Sequence, residues 1–318
     1  MSSALPIKPQ AVDAPLARCA IFLTLAISQD QPRAIKNVKA GLAGVSDLAK
    51  NVSIRDLNAQ FACTAAIGSS VWDQVTGKTR PPELHPFKEI KGSTHTAVST
   101  PGDLFFHVRA ERQDLCFEFE RQLLDIFGAS VRTVDETVGF RYFDIRDLLG
   151  FVDGTANPVG KSVQEATIVT AEQGGVEAAG GSYVVVQKYL HDLVSWKKLS
   201  TEQQERVIGR TKLDNVELED ALPGEQLAHK SLATVEDGDG NECGILRDNM
   251  PFGSPGTGEF GTYFIGYSAE LWVTEKMLQR MFVGEPEGMH DRILDFSRPV
   301  TGCIFFAPST DLLDGLGE

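Results

Sequence analysis

The sequence predicts an α+β protein of two halves that repeat the element order β-α-β-β-α-β. In each half a strand is followed by a helix ending in phenylalanine and glycine, and then by a strand that opens with glycine and aromatic residues. These units cover residues 104–143 and 262–306, and a glycine-, alanine- and glutamate-rich stretch lies between them at 171–181. We therefore predict two ferredoxin-like halves whose antiparallel sheets stack on their free faces, leaving a buried slot for a ligand.

The elements of the first half follow from hydrophobic spacing and from glycine and proline positions. Leu115, Phe119, Leu123 and Phe127 recur at four-residue steps, which is typical of an amphipathic helix, and Gly128 closes it. The predicted order is a strand at 19–27, a helix at 33–50, a strand at 60–69, a long loop at 73–102, a strand at 104–109, a helix at 115–127 and a strand at 139–143.

The second half repeats this order. Ser200 or Thr201 is predicted to cap a helix to residue 208, and Thr274 to cap another that ends at Gly284. Strands are predicted at 183–190, 262–267 and 302–306. The chain is thus divided into an extended N-terminal arm (1–17), an N-terminal half (18–148), a connector (149–181) and a C-terminal half (182–318).

The charge of the chain disfavours two classes of partner. The 318 residues carry 44 acidic and 30 basic side chains, a formal net charge of −14, which repels nucleic-acid phosphates and anionic lipid surfaces. The apolar run at 19–27 is too short to span a bilayer. A signal peptide is the alternative, because Lys8 and Arg18 precede the run; Asp13 and the lack of a small-x-small cleavage site favour a buried strand and a cytoplasmic protein.

The cysteine spacing disfavours several kinds of site. The five are widely spaced and form neither a CxxC nor a CxxCH motif: Cys19, Cys63, Cys116, Cys243 and Cys303. A zinc cluster, a redox dithiol and covalently attached haem are therefore disfavoured, and reduced thiols are expected.

The segment from Gly150 to Pro158, GFVDGTANP, holds an acidic residue in a fixed backbone position. Glycines bracket Asp153, so the backbone can turn sharply or pass close to a ligand. An ordinary Asp-Gly turn is the alternative. No phosphate-binding loop or dinucleotide motif is present.

Two further features are weak when taken singly. Arg247 and Asn249 are two residues apart and lie on one side of an extended segment, although an exposed, salt-bridging arginine has the same appearance. His229 stands alone on a predicted loop, where a histidine is usually only solvated. Neither feature by itself identifies an activity.

Together these segments resemble the dye-decolourising peroxidase family, and the bacterial B-type subgroup most. The resemblance covers most of 100–310 and is strongest from 140 to 267. The matching segments occur in the family's order: GFVDGTANP at 150–158, GGSYVVVQ at 180–187, VIGRTK at 207–212, His229, Arg247-x-Asn249, MPFG at 250–253, PVTG at 299–302 and FAPS at 306–309.

The resemblance implies haem b bound noncovalently in a pocket of the C-terminal half. His229 would be the proximal iron ligand, with Asp153 and Arg247 on the peroxide-binding side. Asn249 would orient water or peroxide. Four more residues are expected at the cofactor: Gly154, Thr155, Arg210 and Phe264. A structural salt bridge is the alternative for Arg210, and core packing is the alternative for Phe264.

The implied activity is reduction of hydrogen peroxide through a ferryl intermediate, with dyes, phenolics or other aromatic compounds as electron donors. A haem-handling or storage protein without turnover, and an iron-free ligand-binding or structural protein of the same fold, are the alternatives. Ala156 stands where relatives often carry glutamate, which puts a manganese site in doubt. A homo-oligomer, dimer to hexamer, is expected. Some relatives enter encapsulin shells through a C-terminal tag, and no long tag is expected here, because the chain stops soon after the last predicted strand.

Overall fold

Fourteen strands and eleven α-helices occur in the computed structural model, which describes residues 7–222 and 224–317. The first six residues of the predicted arm lie outside the described residues. In chain order the strands are β1 (Cys19–Ile27), β2 (Ala62–Gly68), β3 (Ile90–Lys91), β4 (Thr96–Ala97), β5 (Leu104–Ala110), β6 (Val131–Phe140), β7 (Ser182–His191), β8 (Val235–Glu236), β9 (Glu242–Cys243), β10 (Leu246–Arg247), β11 (Met250–Ser254), β12 (Glu259–Ser268), β13 (Ser297–Pro299) and β14 (Cys303–Ala307). The helices are α1 (Ala34–Ala43), α2 (Val45–Ser53), α3 (Trp72–Thr76), α4 (Gln113–Phe127), α5 (Lys161–Thr167), α6 (Ala171–Gly174), α7 (Leu193–Trp196), α8 (Thr201–Ile208), α9 (His229–Leu232), α10 (Leu271–Val283) and α11 (Thr310–Asp314).

Ten of the described strands form one antiparallel sheet, in the order β10-β12-β7-β14-β2-β5-β1-β6, with β11 paired to β12 and β13 to β7. The two halves meet where β14 pairs with β2, through Phe305 opposite Gly68 and Phe306 opposite Ile67. Two short ribbons, β3–β4 and β8–β9, stand apart from this sheet. The predicted α+β class with antiparallel sheets is confirmed.

The parts of this sheet that belong to the two halves face each other, as the predicted stacking requires. Phe22 of β1 lies on Tyr263 of β12, with ring centroids 4.1 Å apart, and Phe105 of β5 stacks on Phe305 of β14 at 5.3 Å. These aromatic side chains are fully buried and fill the space between the sheets. The predicted ligand slot between the halves is therefore wrong, because bulky side chains close the interface. The cavity described below lies on the opposite face of β7 and β12.

Several predicted elements have different boundaries in the structure. The helix expected at 33–50 is two helices, α1 and α2, which meet at Gly44. The strand expected at 139–143 is instead β6, which runs from Val131 to Phe140; most of its side chains are partly or fully exposed, so its hydrophobic alternation is weak. The connector holds the short helix α6, and residues 178–181 are buried rather than forming a loose linker.

The predicted start of α10 is also wrong. The helix begins at Leu271, and Thr274 is fully buried inside it instead of capping it. The carboxylate of Glu83 accepts a hydrogen bond from the Trp272 backbone at 2.8 Å, so a distant side chain satisfies this helix end. Its predicted end at Gly284 is confirmed. No helix in the described ranges has the length and apolarity needed to cross a membrane.

Candidate functional site

A cavity that opens to solvent lies beside β7, β12 and α10 in the C-terminal half. Because strand side chains alternate, Tyr263 and Ile265 of β12 enter the core between the sheets, whereas Thr262 and Phe264 line the cavity. Most of its walls are apolar, formed by Leu149, Phe151, Val152, Ile208, Ala233, Ile245, Phe264, Met277, Leu278, Met281 and Ile293.

His229 lies in the wall of this cavity as the first residue of α9. Its Nδ1 is 2.6 Å from Oδ2 of Asp291, whose side chain is fully buried. Burial lowers the pKa of His229, but the charge and hydrogen bond of Asp291 raise it, and the net direction is upward. Among the described residues nothing bonds Nε2, so this nitrogen is available to a ligand.

Asp153 also lines the cavity, on the turn between its bracketing glycines. Gly154 has φ +73, a conformation that side chains rarely adopt, and its backbone N–H donates to Oδ1 of Asp153 at 2.7 Å. Asn249 donates from Nδ2 to Oδ2 of Asp153 at 3.1 Å and accepts from the Ile265 N–H at 3.1 Å. Asn249 therefore connects the Asp153 carboxylate to strand β12.

Arg247 is held by its backbone. Asn157 accepts from the Arg247 N–H at 3.0 Å and donates to the Arg247 carbonyl at 2.7 Å, so one amide side chain tethers the Asp153 loop to β10. Burial lowers the pKa of Arg247, while the charges of Asp153 and Glu242 raise it, and the net direction is downward. Arg247 lines the same cavity as Asp153 and His229.

Asp248, between Arg247 and Asn249, points the other way. It is 2% exposed and accepts from the buried Arg109 of β5 at 2.8 Å. This ion pair joins the two halves of the protein. It fixes the backbone between Arg247 and Asn249, whose side chains face the cavity. The arrangement follows from the extended backbone, in which alternate side chains take opposite sides.

The remaining predicted residues divide into two groups. Phe264 lies in the cavity wall. Arg210 donates to Glu217 at 2.9 Å, and Thr155 accepts from Asn215 at 2.9 Å; neither residue, nor Gly154, is part of the wall formed by the described residues. Their predicted contacts with a cofactor therefore gain no support from this arrangement.

Four site residues were missed or left without a role in the prediction: Asp147, Asn157, His191 and Asp291. Burial raises the pKa of Asp147 to about 7, and burial lowers the pKa of His191 to about 4. His191 bonds Ser297 at 2.8 Å and Thr262 at 2.9 Å, so its ring is fixed in the wall. Asp291 and Asn157 make their contacts across 62 and 90 positions of sequence, and no local pattern marks such pairs.

The geometry can hold a metal-bearing cofactor and can move a proton. An imidazole with one nitrogen fixed by a carboxylate and the other free is the usual form of a histidine metal ligand. A carboxylate and a guanidinium share the cavity with it, and they supply an acid-base group and a fixed positive charge.

Comparison with known proteins gives matches along nearly the whole chain. The family models for the N-terminal and C-terminal domains of the Dyp-type peroxidases match residues 9–141 and 144–312. A protein of Mycobacterium tuberculosis named dye-decolorizing peroxidase is 50% identical over 309 residues, covering 97% of this chain and 90% of that protein.

Solved structures give the same result. DyPB from Rhodococcus jostii superposes with a TM-score of 0.93 at 49% identity, covering 99% of this chain and 100% of that one. A variant of that protein, solved in complex with heme, has a TM-score of 0.92 at 49% identity and covers 98% and 99% of the two chains. The encapsulated DyP-type peroxidase from Mycobacterium smegmatis has a TM-score of 0.92 at 50% identity and covers 96% and 97%.

Proposed function

Because this chain belongs to the Dyp-type peroxidase family, we propose that it is a haem enzyme that reduces hydrogen peroxide and oxidises aromatic donors, with Asp153, Arg247 and His229 as its working residues. The observation that carries the proposal is the meeting of these three side chains in one apolar cavity. They lie 76 and 18 residues apart along the sequence, so the fold brings them together.

The cavity residues fit haem. Nε2 of His229 has no hydrogen-bond partner in the described residues, while Asp291 fixes Nδ1, and together these leave one imidazole nitrogen for iron. The apolar walls suit a flat macrocycle, and relatives of known structure contain heme. We place Asp153 and Arg247 on the side of the haem opposite His229, and Phe264 against the macrocycle.

Bound haem would supply the redox chemistry that peroxide reduction and donor oxidation require. Asp153 takes a proton from one oxygen of hydrogen peroxide and returns it to the departing oxygen, which leaves as water. Arg247 stabilises the negative charge that develops on that oxygen. Asn249 donates to Asp153, which supports a positioning role in addition to its predicted contact with water or peroxide.

The haem-handling alternative is not favoured, because the proteins about 50% identical to this chain are named dye-decolorizing peroxidases. The donors are proposed to be dyes, phenolics or similar aromatic compounds. A homo-oligomer and a cytoplasmic location remain proposals. Packaging in a protein shell is proposed only by analogy with the encapsulated relative from Mycobacterium smegmatis.

The test is the rate at which the Soret band of haem-loaded protein changes after peroxide is added. Asp153→Ala and Arg247→Ala remove the proton carrier and the positive charge, and we expect at least one of them to slow the reaction by about 100-fold or more. Asp125→Ala and Arg121→Ala, an exposed ion pair on α4, are the matched controls and should react at the wild-type rate. If both cavity variants stay within about threefold of wild type, the assignment of these residues is wrong.

A further inference from the structure

Two histidines and an aspartate converge at a second place, outside the cavity wall. Nε2 of His95 and Nε2 of His290 each lie 2.9 Å from the same atom, Oδ1 of Asp295. The three atoms lie within 4.8 Å of one another. The side chains are 21%, 13% and 25% exposed, so they are largely held in place but remain open to solvent on one side.

The backbone around these side chains is fixed by both halves of the protein. His95 lies between β3 and β4, and its carbonyl accepts from the Gly92 N–H at 2.9 Å. Gly92 is packed so closely on the Phe282 carbonyl at the end of α10 that a Cβ there would lie 1.8 Å from the oxygen. The backbone that carries His95 in the first half is therefore fixed against a segment of the second half.

Asp295 ends a short 3-10 turn of the second half, and His290 lies just before that turn. The Ile293 N–H donates to Oδ1 of Asp291 at 3.1 Å, which starts the 3-10 turn from Arg292 to Asp295. Arg292 donates to Oδ2 of Asp295 at 2.5 Å and orients the carboxylate, leaving Oδ1 to face the two imidazoles. An outer partner that orients a ligating carboxylate is typical of metal sites.

We propose that His95, His290 and Asp295 bind a divalent first-row transition-metal cation, with Zn²⁺ as the representative case. Two imidazoles and one carboxylate are a common ligand set for such ions, and three protein ligands leave a fourth position for water. Tetrahedral Zn²⁺ with bonds of about 2.0–2.1 Å holds its ligand atoms about 3.3 Å apart. The two 2.9 Å contacts with Asp295 would lengthen by a few tenths of an ångström, and the two imidazole nitrogens, which lie within 4.8 Å of each other, would move to their tetrahedral spacing around the ion.

This site is separate from the proposed haem chemistry but connected to it through the chain. His290 directly precedes Asp291, the partner of His229. A bound cation would tie β3–β4 of the first half to the segment that carries Asp291. It would thereby make that segment more rigid.

The experiment is calorimetric titration of haem-loaded, chelator-stripped protein with Zn²⁺. We expect one equivalent to bind and the melting temperature to rise with added Zn²⁺. His95→Gln and His290→Gln retain an amide that can donate to Asp295 but lose the imidazole ligand, so each should weaken binding at least tenfold while the Soret band stays unchanged. His85→Gln, at a partly exposed histidine beside Glu275, is the matched control and should bind as wild type.

Two results would overturn the proposal. The first is that wild-type protein does not bind one equivalent of Zn²⁺, which would mean that the three side chains form only a hydrogen-bonded cluster. The second is wild-type affinity in both glutamine variants, which would place the ion elsewhere. An unchanged Soret band shows that the variants are folded, so neither result can be ascribed to misfolding.

Discussion

Asp291 uses both carboxylate oxygens: Oδ2 accepts from His229 at 2.6 Å and Oδ1 accepts from the Ile293 N–H at 3.1 Å. In the neutral imidazole the first bond favours the tautomer with its proton on Nδ1, in which Nε2 can bind a metal. Because Asp291 is fully buried, bulk solvent screens its interaction with His229 only weakly.

Asp291→Asn should therefore weaken haem binding. The amide cannot act as the same charged acceptor for Nδ1–H, and loss of such an outer partner typically costs about 10- to 100-fold in affinity. Titration of haem-free protein with hemin, followed at the Soret band, measures the change. Asp125→Asn, exposed on α4, is the control. Wild-type affinity in Asp291→Asn would show that the hydrogen bond does not support the ligand.

At this scale the sequence predicted the residues that belong to motifs but not their partners. Asp153, Arg247, Asn249, His229 and Phe264 line one cavity in the structure. Their supports were not predictable, because a hydrogen bond such as that from Asn157 to Arg247 joins segments that are adjacent only after folding. For the same reason the sequence could not decide whether Arg210 contacts the cofactor or forms a salt bridge. In the structure Arg210 pairs with Glu217.

Among the elements, those with local signals were predicted most accurately. Ser200 caps α8 in a capping box with Gln203, and both residues are visible in the sequence. The start of α10 depends instead on Glu83, 189 residues from Trp272. Strand β6 is mostly exposed, so the alternation that would mark it is weak.

Helix α4 carries an acidic side chain on its buried face. Glu120 is 6% exposed, and its Oε1 has no hydrogen-bond partner among the described residues. Burial first, and then the charge of Glu136, raise the pKa of Glu120 to about 7. The folded protein therefore keeps this proton to a higher pH than the unfolded chain does.

The sign of the pH dependence follows. An unfolded glutamate loses its proton near pH 4.3, so between that pH and about 7 the folded state binds more protons and stability falls as pH rises. From pH 5 to pH 8 this loss is on the order of 2 kcal/mol, and Glu120→Gln should abolish it. Urea unfolding of both proteins at the two pH values measures the difference.

Glu118 on the same helix is the control for this prediction. Hydrogen bonds from Arg121 and Gln122 hold the pKa of Glu118 to about 2, so it is ionised in both states across the tested range. Glu118→Gln should keep the wild-type pH slope. If Glu120→Gln also keeps the wild-type dependence of stability on pH, the account of Glu120 is wrong.

In the whole molecule, the two halves share one sheet and one aromatic interface. Phe22 is fully buried between His107 and Tyr263, with ring centroids 4.8 Å and 4.1 Å away. The repeated element order predicted this stacking. It did not predict that bulky residues would fill the interface and leave the cavity on the other face, because side-chain volume at a junction depends on both partners.

Phe22→Ala should destabilise the entire protein by about 3–5 kcal/mol, the usual cost of removing a buried phenylalanine. Since the interface joins both halves, urea curves followed by far-UV circular dichroism and by the Soret band should shift together. Phe117→Ala, 61% exposed on α4, should leave both curves near wild type. A shift in only one of the two signals would mean that the halves unfold independently.

The most direct test of the central claim is the visible spectrum of purified protein reconstituted with hemin, before and after one equivalent of hydrogen peroxide. The account predicts a Soret band that changes on adding peroxide and returns when an aromatic donor follows. In His229→Ala the band should be absent or greatly reduced. The account would be contradicted by a protein that stays colourless because it does not bind hemin. It would also be contradicted by a His229→Ala variant that binds hemin and responds to peroxide as wild type does.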